Sequence, residues 1–296
     1  MCPLGCQLVD AQTQIGAIIN SDGTITGSSN LSQNGNVYTF TGNISGVLQI
    51  LKAGIVVDGA GFALIGDGSG KAIDFSVNSD DSSIGSANGI TIKNLIITNF
   101  TYAIYISNTE SNLFYGNTII GCATSFWISG ESNNDILYNT IQDNTDGISL
   151  NFATGNNTVS HNNLINSDIT ILRSTQPIVN KNYWNNYLTK YPNAQEIGNS
   201  GVGNTAYVYD EINNFTDNSP LMQEISISNI EFPTITSSPT QTISASATVS
   251  LPSTYTQVPL DQMIIGYALA AAALLGVGLF LVMILKAIKK RKIPPN

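Results

Sequence analysis

A chain of 296 residues with 42% hydrophobic content can bury the core of one large all-β domain or two ordinary ones, which excludes disorder as its overall state. Only 10% of residues are Asp, Glu, Lys or Arg, against roughly 25% in a typical soluble domain, so neutral amides and hydroxyls must solvate most of the surface. Five of the eleven basic residues follow Leu285, leaving six against twenty acidic residues before it; nucleic acid is excluded as a partner, because phosphate contacts need Lys and Arg clusters that residues 1–262 lack.

Residues 1–14, MCPLGCQLVDAQTQ, hold no apolar run of signal-peptide length and read as the remnant of an export signal or a disordered start. Cys2, Cys6 and Cys122 form no metal-type pair, and Cys122 is expected as a small buried residue. Residues 15–53, with NVYTFTG and VLQIL, are assigned to an N-terminal cap and the first strands.

From 54 to 182 the chain repeats. LFYGNTII (113–120) returns as DILYNTIQ (135–142) and as TVSHNNLI (158–165). Asn94, Asn117, Asn139 and Asn162 fall at steps of 23, 22 and 23, followed by Asn182. Ile106, Ile128, Leu150 and Leu172 fall 22 apart, and two places earlier stand Ile104, Phe126, Ile148 and Thr170. Alternation by two marks strands with one buried face. A period of about 22 residues with no helix fits neither a leucine-rich repeat nor a propeller blade, and it predicts a right-handed, single-stranded parallel β-helix with one repeat per coil. Equivalent asparagines would then stack at about 4.8 Å as an amide ladder. GIVVDGAGFALIGDGSGKAIDFS (54–76) fits the same scheme, and polar residues 78–89 read as an insertion loop.

Residues 183–222, rich in aromatics and without the period, are assigned to a C-terminal cap that includes Trp184 and covers the last open strands. Residues 223–260 carry Ser, Thr and Pro with few charges and read as a stalk. Residues 263–285 are uncharged and mostly apolar, long enough as a helix to span the roughly 30 Å core of a bilayer. KAIKKRK follows, so residues 286–296 are expected in the cytoplasm and the rest outside, on a single-pass cell-surface protein. The membrane is thus an expected partner. Sequons at Asn30, Asn43, Asn99, Asn156 and Asn214 suit a glycosylated exterior.

The segments VVDGAGFALIGDGSGKAIDFS and ITIKNLIITNFTYAIYIS, the NTI repeats, NYWNNY, VGNTAYVYD and DNSPLM resemble the NosD-like, pectin-lyase-like right-handed β-helix proteins, those of archaeal surfaces in particular, over about 15–222. The resemblance implies the fold; that fold hosts polysaccharide lyases, hydrolases and proteins without known activity. Family members often carry an acidic calcium-type loop before VGNTAY, whereas EIGNSGVGN (196–204) has asparagines in place of aspartates. Copper, which the NosD label would imply, wants His, Cys or Met, but the chain has one histidine, His161, and past Cys6 the ectodomain offers only Cys122 and Met222. No metal or cofactor is expected.

Two functions remain. Stacking the repeats places Tyr102, Thr124, Asp146 and Asp168 in one column, with Asp146 and Asp168 about 5 Å apart, near the separation of a retaining glycosidase pair. Arg173, the one arginine before the tail, could hold a sugar carboxylate. Asp146, Asp168 and Arg173 are therefore the candidate catalytic cluster of a polysaccharide hydrolase or lyase. The reading preferred is a membrane-anchored surface β-helix with a structural, adhesive or glycan-binding role, in which Tyr102, Tyr105, Tyr115 and Tyr138 offer contacts. Envelope glycans, surface proteins or further copies of the chain would be its partners.

Overall fold

The computed structural model describes residues 14–75, 87–107, 109–153 and 155–227. The apolar span 263–285, the basic tail, the export-signal remnant, nearly all of the stalk and most of the 78–89 insertion lie outside these residues. Among the described residues no helix is long and apolar enough to cross a membrane.

Three stacked parallel sheets form the body. In the coil that begins at Leu113, the strands are Leu113–Tyr115, Thr118–Ile120 and Thr124–Ser129, each belonging to a different sheet. The middle residue of each short strand, Phe114 or Ile119, is buried and its neighbours are not, as pleating dictates. Residues with positive φ turn the chain between strands: Gly116 and Gly121 here, Tyr138 and Asp143 one coil on.

We call the sheet that contains Thr124–Ser129 sheet A, that of Leu113–Tyr115 sheet B and that of Thr118–Ile120 sheet C. Along sheet B the buried column runs Ile92, Phe114, Ile136, Val159, Val179. Along sheet C it runs Leu64, Ile97, Ile119, Ile141, Leu164, Trp184. These columns, with Ile104, Phe126, Ile148 and Ile169 of sheet A, meet in one continuous core.

Among the described residues there are six complete coils and a partial seventh. The first lies within 15–53, as Val37–Phe40, Ile44–Ser45 and Val47–Ile50. It escapes the 22-residue period because Val37 is in register with Val56, a step of 19.

Two expected columns require correction. Leu150 pairs with Ile171, not Leu172, and Ile148 pairs with Ile169, not Thr170. The connection at 166–168 is two residues shorter than its counterpart at 143–147 in the preceding coil, and while sheet C steps by 23 here the last strand of sheet A steps by 21, one place short of the 22-residue period. Leu172 is accordingly 51% exposed and Ile169 only 3%.

The buried asparagines explain why the repeat is so regular. The backbone N–H and Nδ2 of Asn117 both donate to Asn139 Oδ1 at 3.0 Å. Asn139 repeats this to Asn162 Oδ1 at 2.8 and 3.0 Å, and Asn162 to Asn182 Oδ1 at 3.0 Å. Each Nδ2 also donates backward: Asn117 to Ile92 O, Asn139 to Phe114 O, Asn162 to Ile136 O. Asn117, Asn139, Asn162 and Asn182 are all fully buried. Asn94 stands outside the ladder. It is exposed, with φ of 52°, in the column of Gly116, Tyr138, His161 and Lys181, and its Nδ2 donates to Asp58 Oδ1. Leu95 occupies the ladder's place and gives only its N–H to Asn117.

A second ladder, Asn112 to Asn134 to Asn157, follows the same pattern at the turn from sheet A to sheet B. At the turn from sheet C to sheet A, the Cys122 N–H donates to Asn144 Oδ1 at 2.8 Å. Burial pushes the Cys122 thiol up.

Both ends of the stack are closed. At the first, Ile25–Gly27 and Leu31–Asn34 pair antiparallel with Ile15–Ile19 and Val37–Phe40, which ends the parallel pattern. At the other, Trp184 stacks on Tyr207 at 4.1 Å between centroids, and the hairpin Tyr207–Asp210 with Phe215–Asp217 lies against the last strands. Burial pushes the Tyr209 hydroxyl of this hairpin up to about 12. The last described stretch crosses sheet C, where Asn163 accepts from the Ile225 N–H and donates to its carbonyl.

Asn139→Ala removes the acceptor for two donors of Asn117 and leaves them buried, so it should cost about 2–4 kcal/mol in urea unfolding. Asn94→Gly keeps the turn conformation, loses one exposed hydrogen bond and should change stability by less than about 1 kcal/mol. Equal effects of the two would contradict the ladder.

Candidate functional site

Outward-facing residues of the sheets stack into surface columns just as the inward ones stack into the core. On sheet A one such column is Asp74, Tyr105, Trp127, Ser149 and Thr170, and beside it run Lys71, Tyr102, Thr124 and Asp146. Three large aromatic side chains thereby meet on two adjacent coils. The rings of Tyr105 and Trp127 lie within 5° of parallel at 6.4 Å, and Tyr102 stands edge-on to both, at 5.4 and 5.6 Å. Lys71 Nζ lies 4.0 Å from the Tyr105 centroid and 3.6 Å from the Asp74 carboxylate. Ser107 and Ser129, in register with each other, continue the same face, half-buried like the three aromatics.

This patch is rigid because every member stands on a strand whose inward neighbours are locked in the core. Phe126 and Ile128 flank Trp127 in sequence and are fully buried, as Ile104 and Ile106 are beside Tyr105. Ring orientation is therefore set by the fold and by ring-on-ring packing, with no loop involved. Trp127 is the member not named from the sequence. In SFWIS it stands between Phe126 and Ile128 of the inward columns, and alternation together with its alignment with Tyr105 is the signal that places it outside.

The proposed catalytic trio does not assemble. Asp146 is in register with Thr124, but Asp168 lies opposite Gly147, with its backbone carbonyl accepting from the Ile148 N–H at 2.9 Å. Gly147 is required there: a Cβ would stand 2.4 Å from Asp168 O. The same one-residue advance that moved Leu172 breaks the Asp146–Asp168 column. Arg173 is in a left-handed turn (φ 51°) past the end of the Ile169–Leu172 strand, its guanidinium 5.7 Å from the Phe152 ring. From Asp168 to Arg173 the extended strand spans roughly 16 Å. An acid, a base and a cation within reach of one glycosidic bond are not offered by these residues.

The other aromatics named from sequence lie apart from the patch. Tyr115 faces out from sheet B in register with Lys93. Tyr138 stacks on His161 at 4.7 Å. His161 Nδ1 lies 2.7 Å from Ser160 Oγ, whose hydrogen goes to Asn180 Oδ1 at 2.5 Å. Burial first, and then Lys181, pushes the His161 pKa down, against an opposing pull from Asp217.

All five sequon asparagines lie in turns. Asn43, Asn99, Asn156 and Asn214 are exposed and Asn30 is half-buried; Nδ2 of Asn30 donates to Asn43 O and that of Asn99 to Gly66 O. In the 196–204 loop, Glu196 accepts from the Gly201 N–H at 2.7 Å. Among the described residues no group of three or more His, Cys, Asp or Glu side chains is placed to hold a metal ion.

On sheet B, Lys93 Nζ lies 2.9 Å from Asp58 Oδ2, and Asp58 Oδ1 accepts from the Ala60 N–H and Asn94 Nδ2. Partial burial raises the Asp58 pKa, but the bonds from Lys93, Ala60 and Asn94 outweigh it and hold the carboxyl below its usual value. A pKa lowered by folding adds stability that is complete above the unfolded value and lost as pH falls through the folded one.

A family model described as right handed beta helix region matches residues 30–183. No curated protein and no solved structure matches the chain.

Asp58→Asn should therefore lower stability at pH 6, and the variant and wild-type curves should converge on acidification below about pH 4. A constant difference from pH 6 down to pH 2 would contradict the pair.

Proposed function

The chain belongs to the right-handed β-helix family, and from that premise we propose that it is a cell-surface, membrane-anchored protein that binds glycans through the aromatic patch of sheet A. The observation that carries this reading is the set of Tyr102, Tyr105 and Trp127, three aromatics in mutual contact on an outward face built from neighbouring coils. A pyranose ring presents a face of C–H groups edged by hydroxyls. An aromatic surface takes the first, and the polar side chains beside it take the second. Ser107, Ser129 and Asp74 supply such groups on this face. A fixed platform costs little conformational entropy on binding, because its rings are already held by packing.

Anchoring is proposed on the sequence: the uncharged span 263–285 and the basic residues 286–296 after it, with the Ser/Thr/Pro-rich 223–260 as spacer between membrane and solenoid. The NosD-like, archaeal surface type is proposed on the motifs between 15 and 222, and glycosylation on the five sequons. An adhesive role is preferred to an enzymatic one because Asp146, Asp168 and Arg173 do not converge.

Full-length protein mixed with insoluble polysaccharides should be retained by at least one of them, and Trp127→Ala should weaken that retention about tenfold or more. Retention unchanged in a folded Trp127→Ala protein would remove the patch from the binding site. Protease added to intact cells should digest residues 1–262 and spare the tail; an ectodomain protected from protease would contradict the orientation.

A further inference from the structure

The charges around the aromatic patch are unevenly placed, and this bears on which glycans it can take. Its one cation, Lys71, lies against the Asp74 carboxylate at 3.6 Å and over the Tyr105 ring at 4.0 Å. Past the aromatics toward the C-terminal coils, the exposed acidic side chains begin. Asp146 shares the column of Tyr102 and Thr124, one coil beyond Thr124, and Asp168 lies on the coil after that. At about 4.8 Å per coil, Asp146 is roughly 10 Å from Tyr102 between backbones, within reach of the next sugar unit of a chain seated on the aromatics. Arg173, which might have balanced them, is at the far end of its strand over Phe152.

Resting on the glycan-binding reading above, we propose that this face takes neutral or N-acylated pyranose glycans laid along the solenoid axis and rejects glycans that carry uronate groups, with Asp146 and Asp168 as the discriminating residues. An ionised carboxylate only accepts hydrogen bonds. Every hydroxyl of a neutral sugar, and the N–H of an N-acetyl group, can donate to one. A uronate instead brings a second acceptor with the same charge, so the bonds are lost and repulsion is added. The sites are exposed and screened by salt, so each uronate that faces a carboxylate should weaken binding by only a few-fold, and the two carboxylates together by about tenfold. This face thus separates two polymer classes by charge while sharing one stacking platform between them.

Full-length protein is tested for retention on chitin, on immobilised yeast mannan and on immobilised polygalacturonate, at low and at physiological salt. The wild type should be held at least tenfold more tightly by chitin or mannan than by polygalacturonate, the preference should narrow as salt rises, and Trp127→Ala should lose the retention. The double variant Asp146→Asn, Asp168→Asn, both at exposed positions, should weaken on the neutral polymers, where carboxylate acceptors become amides, and gain several-fold on polygalacturonate, so that the preference shrinks. Wild-type retention on polygalacturonate that equals or exceeds that on the neutral polymers, and that depends on Trp127, would overturn the proposed selectivity and leave the glycan-binding reading standing. A double variant with undiminished preference would overturn the assignment to Asp146 and Asp168. Retention on none of the three polymers would overturn the glycan-binding reading itself, and the selectivity with it.

Discussion

A carboxamide sealed away from water must find a partner for its oxygen and for its nitrogen, or the fold loses free energy at that position. In this protein the partner is the same group on the next coil. The oxygen of Asn139 takes two N–H donors from Asn117, and its nitrogen reaches Asn162 on one side and Phe114 O on the other. A one-residue slip of a coil from Asn117 onward would carry an amide out of this line and bury it unpaired, so the ladder fixes the register of sheets B and C at their corner, while sheet A is free to shift, as its last strand does. An end must still be found for the line. Asp217 supplies it, fully buried, its Oδ2 accepting from the Asn182 N–H and Nδ2 and from Trp184 Nε1, and its Oδ1 from the N–H groups of Lys181 and Ser219. The C-terminal hairpin is thereby tied to the same line of hydrogen bonds that organises the coils, and the cap that shields the last strand edges also completes their polar bonding.

Surface chemistry on such a scaffold inherits the register. Tyr105 and Trp127 meet because Ile104 pairs with Phe126 and Ile106 with Ile128, positions that the core dictates. The same logic disperses the acidic residues. Where the connection at 166–168 is two residues short of its counterpart, every side chain of the last sheet A strand falls one place off the 22-residue period, so Asp168 leaves the column of Asp146 and Leu172 turns toward solvent. One short turn therefore separates a platform suited to binding from the carboxylate pair that catalysis would need.

Much of this was legible in the sequence, for a specific reason. A solenoid repeats its contacts at the period of its sequence, so the 22-residue spacing of Asn117, Asn139 and Ile106, Ile128, Leu150 gives topology, sheet order and core face together. What resisted reading were places where one residue type suits two neighbouring positions. Asn is favoured both in the left-handed turn and in the buried ladder one place later, and Asn94 occupies the first while Asn117 occupies the second. The second ladder was equally periodic, Asn112, Asn134 and Asn157 at steps of 22 and 23, but its members open their runs and look like ordinary turn residues. Trp127 stands between Phe126 and Ile128 of the inward columns, so alternation places it outside, but nothing in the repeat marks that outward position as part of a binding surface. The role of Asp217 had no sequence signal, because it belongs to no repeat and its partners other than Ser219 are 33 to 36 residues away.

The account rests on the amide ladder being a sealed, continuous line of hydrogen bonds, and side-chain amide exchange measures this directly. In a nuclear magnetic resonance spectrum with the asparagine Nδ2 groups assigned, the Nδ2 protons of Asn117, Asn139, Asn162 and Asn182 should exchange with solvent together, at the slow rate set by unfolding of the whole solenoid, while those of exposed Asn94 and Asn156 exchange freely. Exchange of the Asn139 Nδ2 protons as fast as those of Asn94 would show that water reaches the ladder, and would contradict its role in holding the register.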